Sequence, residues 1–548
     1  MKHPVISVGV LILIVAGAAA LRLWRLDNRP MHTDEAVHGI KFGDLLERGK
    51  YTYDPHEYHG PALNYLTVPV ARLGGAENLT QTSDVHLRLV PAIFGILLIA
   101  GLWLLRDAIG RGAILWAALL GAVSPAMVFY SRYYIQEMLL VCFTFFAIAA
   151  LWRCANRGST VRIAWLVVAG LCVGLMHATK ETCIIAFFSM VVAGIAVAVL
   201  SLCAGNGWTR RKMLSLAVDA GVVLGVGAVV SVVLFSSLFS NFGGIADSIT
   251  TFFQYFERAG GQGSAGDHSY PWYNYLRIVL WWQVDGGVVW TEALVVVLAI
   301  VGLIAGLSGK GCGKASIAFI RFLCIYTVVM TVVYSVISYK TPWCLLGFFH
   351  GMILLGGVGA SVLLRIMRPI GLKAAVAVLL VCATGHLAWQ GWRGSFPRCA
   401  DPGNPYVYAH TTWDVPELAH LVRGIADVHP DKRDMHVQII CADNHPWPFP
   451  WYLRDFTQLD TRVVDDEGRI LPWPLAPVII YRPDLSSQLN DALTIKMLQA
   501  PPYAWLGPDA KNYKEAWNWE LRPYALLHAR VNRKLLKEYN ASRPGPSE

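Results

Sequence analysis

The stretch VISVGVLILIVAGAAALRLWRLDNRPMHTDEAVHG, residues 5–39, decides the architecture. Its first half is a nearly uncharged apolar run of about 20 residues, long enough to cross a bilayer as a helix. Leu21-Arg22-Leu23-Trp24-Arg25 ends that run with the aromatic and basic side chains of a membrane interface. One lysine before an apolar run also marks a signal peptide, but the length and the interfacial residues favour a retained first helix. Immediately beyond it stand His32, Asp34, Glu35 and His38, the densest ionisable cluster of the chain.

The same composition continues. Of 548 residues, 55% are hydrophobic and 15% charged, against roughly a quarter charged in soluble domains. About eleven apolar runs have spanning length, near 4–24, 86–105, 112–130, 134–152, 163–179, 183–203, 214–238, 288–307, 317–337, 343–364 and 373–392. With the N-terminus inside, the inner loops carry Arg106 and Arg111, then Arg153, Arg157 and Arg162, Arg210 to Lys212, Lys310, Lys314 and Arg321, and Arg365, Arg368 and Lys373. Each of these loops is short and basic, which predicts an N-inside, C-outside topology. These loops account for the net charge of +9. No basic patch interleaved with aromatics is present, which excludes a nucleic-acid partner.

The predicted fold is therefore an α-helical polytopic membrane domain, 1–392, followed by an extracytoplasmic α/β domain, 393–548. Outer loops 25–85 and 239–287 are long. In the first, TDEAVHGIKFGDLLERGKY reads as a helix with Thr33 as its cap, and HGPALNYLTVPVARLGG as a second amphipathic piece. In the second, GGQGSAG reads as a flexible segment. In the tail, MHVQIICA and PVIIY read as buried strands, and VPELAHLVRGIADVH and NDALTIKMLQ as helices. The eleven cysteines contain no CxxC pair, which argues against zinc or dithiol chemistry. Cys399 and Cys441 fall in the tail, and their pairing stays open.

The outer turns carry the chemistry. Arg132 lies in FYSRYYIQE, Lys180 in MHATKET and Lys340 in ISYKTPW, all at predicted outer helix ends. A lone cation there can snorkel harmlessly. Three on one face suit an anionic head group, with phosphate the obvious candidate. Asp34 and Glu35 supply an acid able to take a proton from an acceptor, although acids also simply stabilise a helix start. Glu137 and Glu181 pair locally with the cations or orient an acceptor or sugar. His59, His268 and Trp451 are further acceptor or sugar contacts, Trp451 by stacking within the group Trp447, Phe449, Trp451 and Tyr452.

HTDEAVHG, YHGPALNYL, SRYYIQE, ATKET and SYKTPW, in that order, resemble the GT-C type of membrane glycosyltransferase. The likeness is to the protein-mannosyltransferase and aminoarabinose-transferase relatives, and above all to the flippase-activity-associated subgroup, which HPWPFPWYLRDF also resembles. The resemblance implies a polyprenyl-phosphate sugar donor and inverting transfer to a glycan, lipid or protein acceptor outside an inner or plasma membrane. It implies Asp34 as catalytic base with Glu35 beside it, and Arg132, Lys180 and Lys340 on the lipid phosphate. Relatives have a His-Pro-Pro-Leu-like sequence where this chain has His59-Gly60-Pro61, so Gly60 departs from the pattern. The resemblance implies no particular cofactor. A divalent metal stays open, but His32, His38, His56 and His59 fit no standard zinc spacing. The rival readings are a flippase component or transporter, which needs the cations but no base, and a noncatalytic scaffold.

Overall fold

The computed structural model describes residues 4–55, 59–155, 159–205, 210–259, 268–441, 446–461, 476–490, 503–513, 515–523 and 525–543. The chain forms two compact units. The first comprises Met1–Asn28, Arg48–Gly75 and Asp84–Tyr408; the second comprises Arg29–Glu47, Ala76–Ser83 and Ala409–Glu548.

The first unit is built from helices. In chain order these are α1 (Pro4–Leu23), then, past the second unit's α2 (Thr33–Arg48), α3 (Ala62–Leu73), α4 (Asp84–Gly101), α5 (Arg111–Val123), α6 (Pro125–Ser131) and α7 (Glu137–Ala155). They continue as α8 (Ser159–His177), α9 (Cys183–Cys203), α10 (Arg210–Phe235), α11 (Gly243–Ala259), α12 (Asn274–Leu280), α13 (Ala293–Ser308), α14 (Ile317–Val336), α15 (Leu346–Ile366) and α16 (Ile370–Ser395). Every expected span coincides with an apolar helix. Among the described residues eight are long enough to cross a membrane, and α5 with α6 forms a ninth, bent by 61°. α8 and α13 are apolar but shorter. The bend has a local cause. Ser124 leaves helical geometry, accepts the Met127 N–H at 3.3 Å as the cap of α6, and is followed by Pro125, which cannot donate to the preceding turn.

Packing inside the bundle depends on small residues. A Cβ on Gly302 of α13 would meet the Leu355 carbonyl oxygen at 2.1 Å, and one on Gly359 of α15 would meet that of Leu298 at 2.0 Å. The two backbones touch, the close approach that small residues permit in membranes. Lipid-facing helices differ: Val218, Leu224 and Val229 of α10 and Val378, Leu379 and Val381 of α16 are exposed.

The second unit carries a mixed sheet in the order β2-β1-β3-β7-β4-β5, with β6 also on β7. The strands are β1 (Val437–Ile440), β2 (Leu459–Asp460), β3 (Val478–Tyr481), β4 (Tyr503–Leu506), β5 (Asn512–Tyr513), β6 (Trp519–Arg522) and β7 (Ala525–Asn532). β1 pairs in parallel with β2 and β3, and β3 and β4 run antiparallel to β7. Alternation sorts the faces. Val478 and Ile480 join the main core with Leu418, Val422 and Ile425 of α17 (Asp414–Val428), whereas Ile479 and Tyr481 pack with Leu485 and Leu489 on the other side. A short α18 (Phe449–Tyr452) and a final α19 (Arg533–Ser542) complete it. The two expected strands and the helix after residue 413 are present. GGQGSAG and most of NDALTIKMLQ lie outside the described residues, as does His56. Cys399, in the first unit, and Cys441, in the second, are both buried.

Candidate active site

The two adjacent acids of the opening cluster have opposite environments. Glu35 is fully buried; it accepts from Arg29 Nη2 at 2.9 Å and from the His32 backbone N–H at 3.2 Å. His32 returns the favour, its Nδ1 accepting the Asp34 N–H at 3.0 Å. The exchange is a capping box closed by a histidine. It corrects the expected cap at Thr33, which is the first helical residue and whose buried Oγ1 has no hydrogen-bond partner among the described residues. His32 rests on His410, ring centroids 5.1 Å apart. Asp34 points outward, its side chain 42% exposed and 3.8 Å from His32 Nδ1. Glu35 thus has a structural occupation and Asp34 has none that fills it. Glu35→Gln, which leaves Arg29 without its anion, is expected to lower stability by about 2 kcal/mol while the folded fraction keeps its specific activity. Thermal unfolding alongside activity per folded molecule checks this.

Asp34 and Glu35 belong to the second unit, and Arg132, Glu137, Lys180, Glu181, His59, His268 and Lys340 to the first. Within the first unit, Lys180 follows α8 and is buried against Glu137, the first residue of α7, as an ion pair. Burial alone would depress the Lys180 ammonium, but the Glu137 carboxylate more than offsets this and holds its pKa above the ordinary lysine value. Next door, Glu181 accepts from Tyr53 Oη at 3.0 Å and bonds His59 Nδ1 at 2.8 Å. His59 Nδ1 also lies 2.9 Å from Tyr255 Oη of α11. Burial pushes the Glu181 carboxyl up, yet the His59 imidazole and Lys180 pull it below the usual carboxylate range. A depressed carboxyl contributes stability at neutral pH that disappears as pH falls through its folded value. His59→Ala removes the largest of those opposing pulls, so acid unfolding is expected to begin at a higher pH than in the parent, as read by a pH series of melting temperatures.

The departure at Gly60 has a steric reason. A Cβ there would lie 2.3 Å from the Ala178 carbonyl oxygen, and that oxygen accepts the Ala62 N–H at 2.8 Å. No side chain, and no proline ring, fits between His59 and the turn carrying Lys180. Gly60→Ala is expected to cost about 1–3 kcal/mol, as overpacking does, and to displace His59 from Glu181.

Arg132 closes α6. Its guanidinium donates to the carbonyls of Arg22 (3.0 Å), Trp24 (2.7 Å) and Arg25 (2.7 Å) at the end of α1, and stacks over Phe396 at 4.5 Å. Lys340 is buried, with its ammonium on the Ile337 carbonyl and 5.8 Å from the Tyr275 ring. It has no carboxylate partner among the described residues, and burial lowers its pKa. Its backbone N–H donates to the His268 carbonyl at 3.0 Å, and His268 Nδ1 bonds Tyr408 Oη. Trp451, in the second unit, is fully buried with Arg454 over its ring at 4.1 Å.

Beneath the Lys180–Glu137 pair runs an apolar cavity enclosed by α7, α9, α14 and α15. Glu137, Trp343 and Cys344 stand at one end, and Leu105, Ile148 and Phe319 at the other. Glu137 to Ile148 is three helical turns, or about 16 Å. Among the described residues no group of three or more His, Cys, Asp or Glu is arranged to hold a metal. Sequence reasoning missed Tyr53, Tyr255 and Tyr408 as partners of the site. Each is one of many interfacial tyrosines, with no local signal to single it out.

Residues 59–234 match the family described as Dolichyl-phosphate-mannose-protein mannosyltransferase. Among curated proteins none is a significant sequence match. ArnT from Cupriavidus metallidurans, solved bound to undecaprenyl phosphate, is similar over 98% of this chain and 99% of its own, with 16% identity and a TM-score of 0.58. Its apo structure aligns over 95% and 98%, with 15% identity and the same score. The archaeal oligosaccharyltransferase AglB from Archaeoglobus fulgidus, in complex with an inhibitory peptide and a dolichol-phosphate, aligns over 97% of this chain and 77% of its own, with 13% identity and a TM-score of 0.58. The helical bundle and the following α/β sheet have the fold of these enzymes.

Proposed function

We propose that the chain moves a sugar from a polyprenyl monophosphate to an acceptor hydroxyl outside the membrane, with the N-terminus in the cytoplasm. The observation that carries this reading is Lys340, a desolvated ammonium without a carboxylate among the described residues, three residues from Trp343 at the polar end of the apolar cavity. A buried unpaired cation is costly unless an anion neutralises it. An amphiphile with an anionic head and a long hydrocarbon tail meets both requirements. The lipid phosphate bound to ArnT and to AglB supports the same class of donor.

In this mechanism the acceptor oxygen attacks the anomeric carbon as the bond to the phosphate oxygen breaks. Asp34 takes the hydroxyl proton, and the polyprenyl phosphate departs with the electron pair against Lys340, Lys180 and Arg132. A single displacement inverts the anomeric centre. Glu181 and His59 form a hydrogen-bonding pair suited to sugar or acceptor hydroxyls. The stretch HPWPFPWYLRDF, 445–456, supports a place in the flippase-activity-associated subgroup.

Purified protein titrated with undecaprenyl phosphate tests the donor assignment. Lys340→Ala is expected to weaken binding by about 10-fold or more, the scale of one lost charge-assisted contact. Equal affinity of the parent and Lys340→Ala proteins would remove the phosphate assignment.

A further inference from the structure

Glu292 is a fully buried carboxylate that the reaction above does not use. It stands just before α13. Its Oε2 accepts from Ser124 Oγ at 2.6 Å, and its Oε1 accepts from the Ala126 N–H at 2.8 Å and Tyr406 Oη at 2.7 Å. Ser124 and Ala126 flank Pro125 at the 61° bend. A bent span frees backbone donors where no water can meet them, and Glu292 takes up one of them.

Its third partner leads elsewhere. Tyr406 packs on Phe129 and Tyr130, at 6.1 and 6.0 Å, and its carbonyl accepts from Tyr130 Oη at 3.0 Å. It belongs to the strap Asn404–Tyr408, which Asn404 ties to the carbonyls of Gly394 (3.1 Å) and Arg398 (3.0 Å). Two residues on, the Tyr408 ring lies 5.6 Å from Trp343 and its hydroxyl bonds His268, whose carbonyl receives the Lys340 N–H. Ser269 and Tyr339 bridge the same two loops. One carboxylate therefore touches the short helix that ends at Arg132 and, through the strap, the turn that carries Lys340.

We propose that Glu292 is a positioning residue that sets the turn at 131–137 and the turn at 339–341 in register, through Ser124 and Ala126 on one side and Tyr406 on the other. The consequence for the donor rests on the function proposed above; the placement itself does not.

The test uses the full chain in detergent or nanodiscs, with amide hydrogen exchange and undecaprenyl phosphate binding measured on the same samples. Glu292→Ala loses all three contacts. It is expected to speed exchange in 125–137 and 404–408 by about 10-fold or more and to weaken undecaprenyl phosphate by a similar factor. Glu292→Gln keeps an acceptor for Ala126 and Tyr406 and can donate to Ser124 Oγ, so both readouts should stay within about threefold of the parent. Thr384→Ala, a buried hydroxyl deletion in α16, should leave both segments unchanged. If Glu292→Ala does not fold, Tyr406→Phe deletes one donor and should produce smaller changes in the same two segments. Parent-like exchange in both segments of the folded variant overturns the proposal. A parent protein that ignores undecaprenyl phosphate overturns the donor reading instead, and the exchange result still decides the placement.

Discussion

Asp34→Asn is expected to yield a folded protein that transfers sugar about 10²–10⁴-fold more slowly, the usual contribution of a positioned general base. The amide has the carboxylate's shape but cannot take the acceptor's proton. The fold should tolerate it, because the capping bond at this position comes from the Asp34 backbone N–H and not from its side chain. Membranes supplied with a polyprenyl-phosphate sugar would report transfer, and the melting temperature would report folding. Parent-level transfer by the variant would remove Asp34 as base. Glu35→Gln is the internal contrast, since there the melting temperature should move and the activity of folded molecules should not.

The second large effect is on stability. Lys180→Met leaves the Glu137 carboxylate buried without its cation. Breaking a buried pair by removing one partner costs about 3–5 kcal/mol. Lys180→Met with Glu137→Gln removes both charges and should recover at least half of that loss, because the cost lies in the stranded charge more than in the missing attraction. Denaturant unfolding of the three proteins in one detergent measures it. A double variant no more stable than Lys180→Met would show that the pair is not coupled.

Most of the bundle was legible from apolar run length, because a bilayer forces each span to satisfy its own backbone. The bend between α5 and α6 was not. Ser124-Pro125 was visible, but the acceptor that makes the break tolerable is Glu292, 166 positions from the Ala126 N–H it receives. Asp34 and Glu35 were legible as a pair and illegible as individuals. Only the cap exchange between His32 and Glu35 tells which carboxylate is inside. Lys180 and Lys340 looked equivalent as cations at helix ends, and differ because, among the described residues, one has a carboxylate against it and the other does not. Gly60 looked like a lost proline and is a contact with Ala178.

At Gly302 and Gly359 the main chains of α13 and α15 meet with no room for even a methyl group. Sliding one helix along the other would drive a bulkier neighbour, such as Leu298 or Leu355, into that gap. The two helices must travel as one plank. If a thick isoprenoid needs the slot beside α15 to widen, the give has to come from the opposite wall, where α7, α9 and α14 face it.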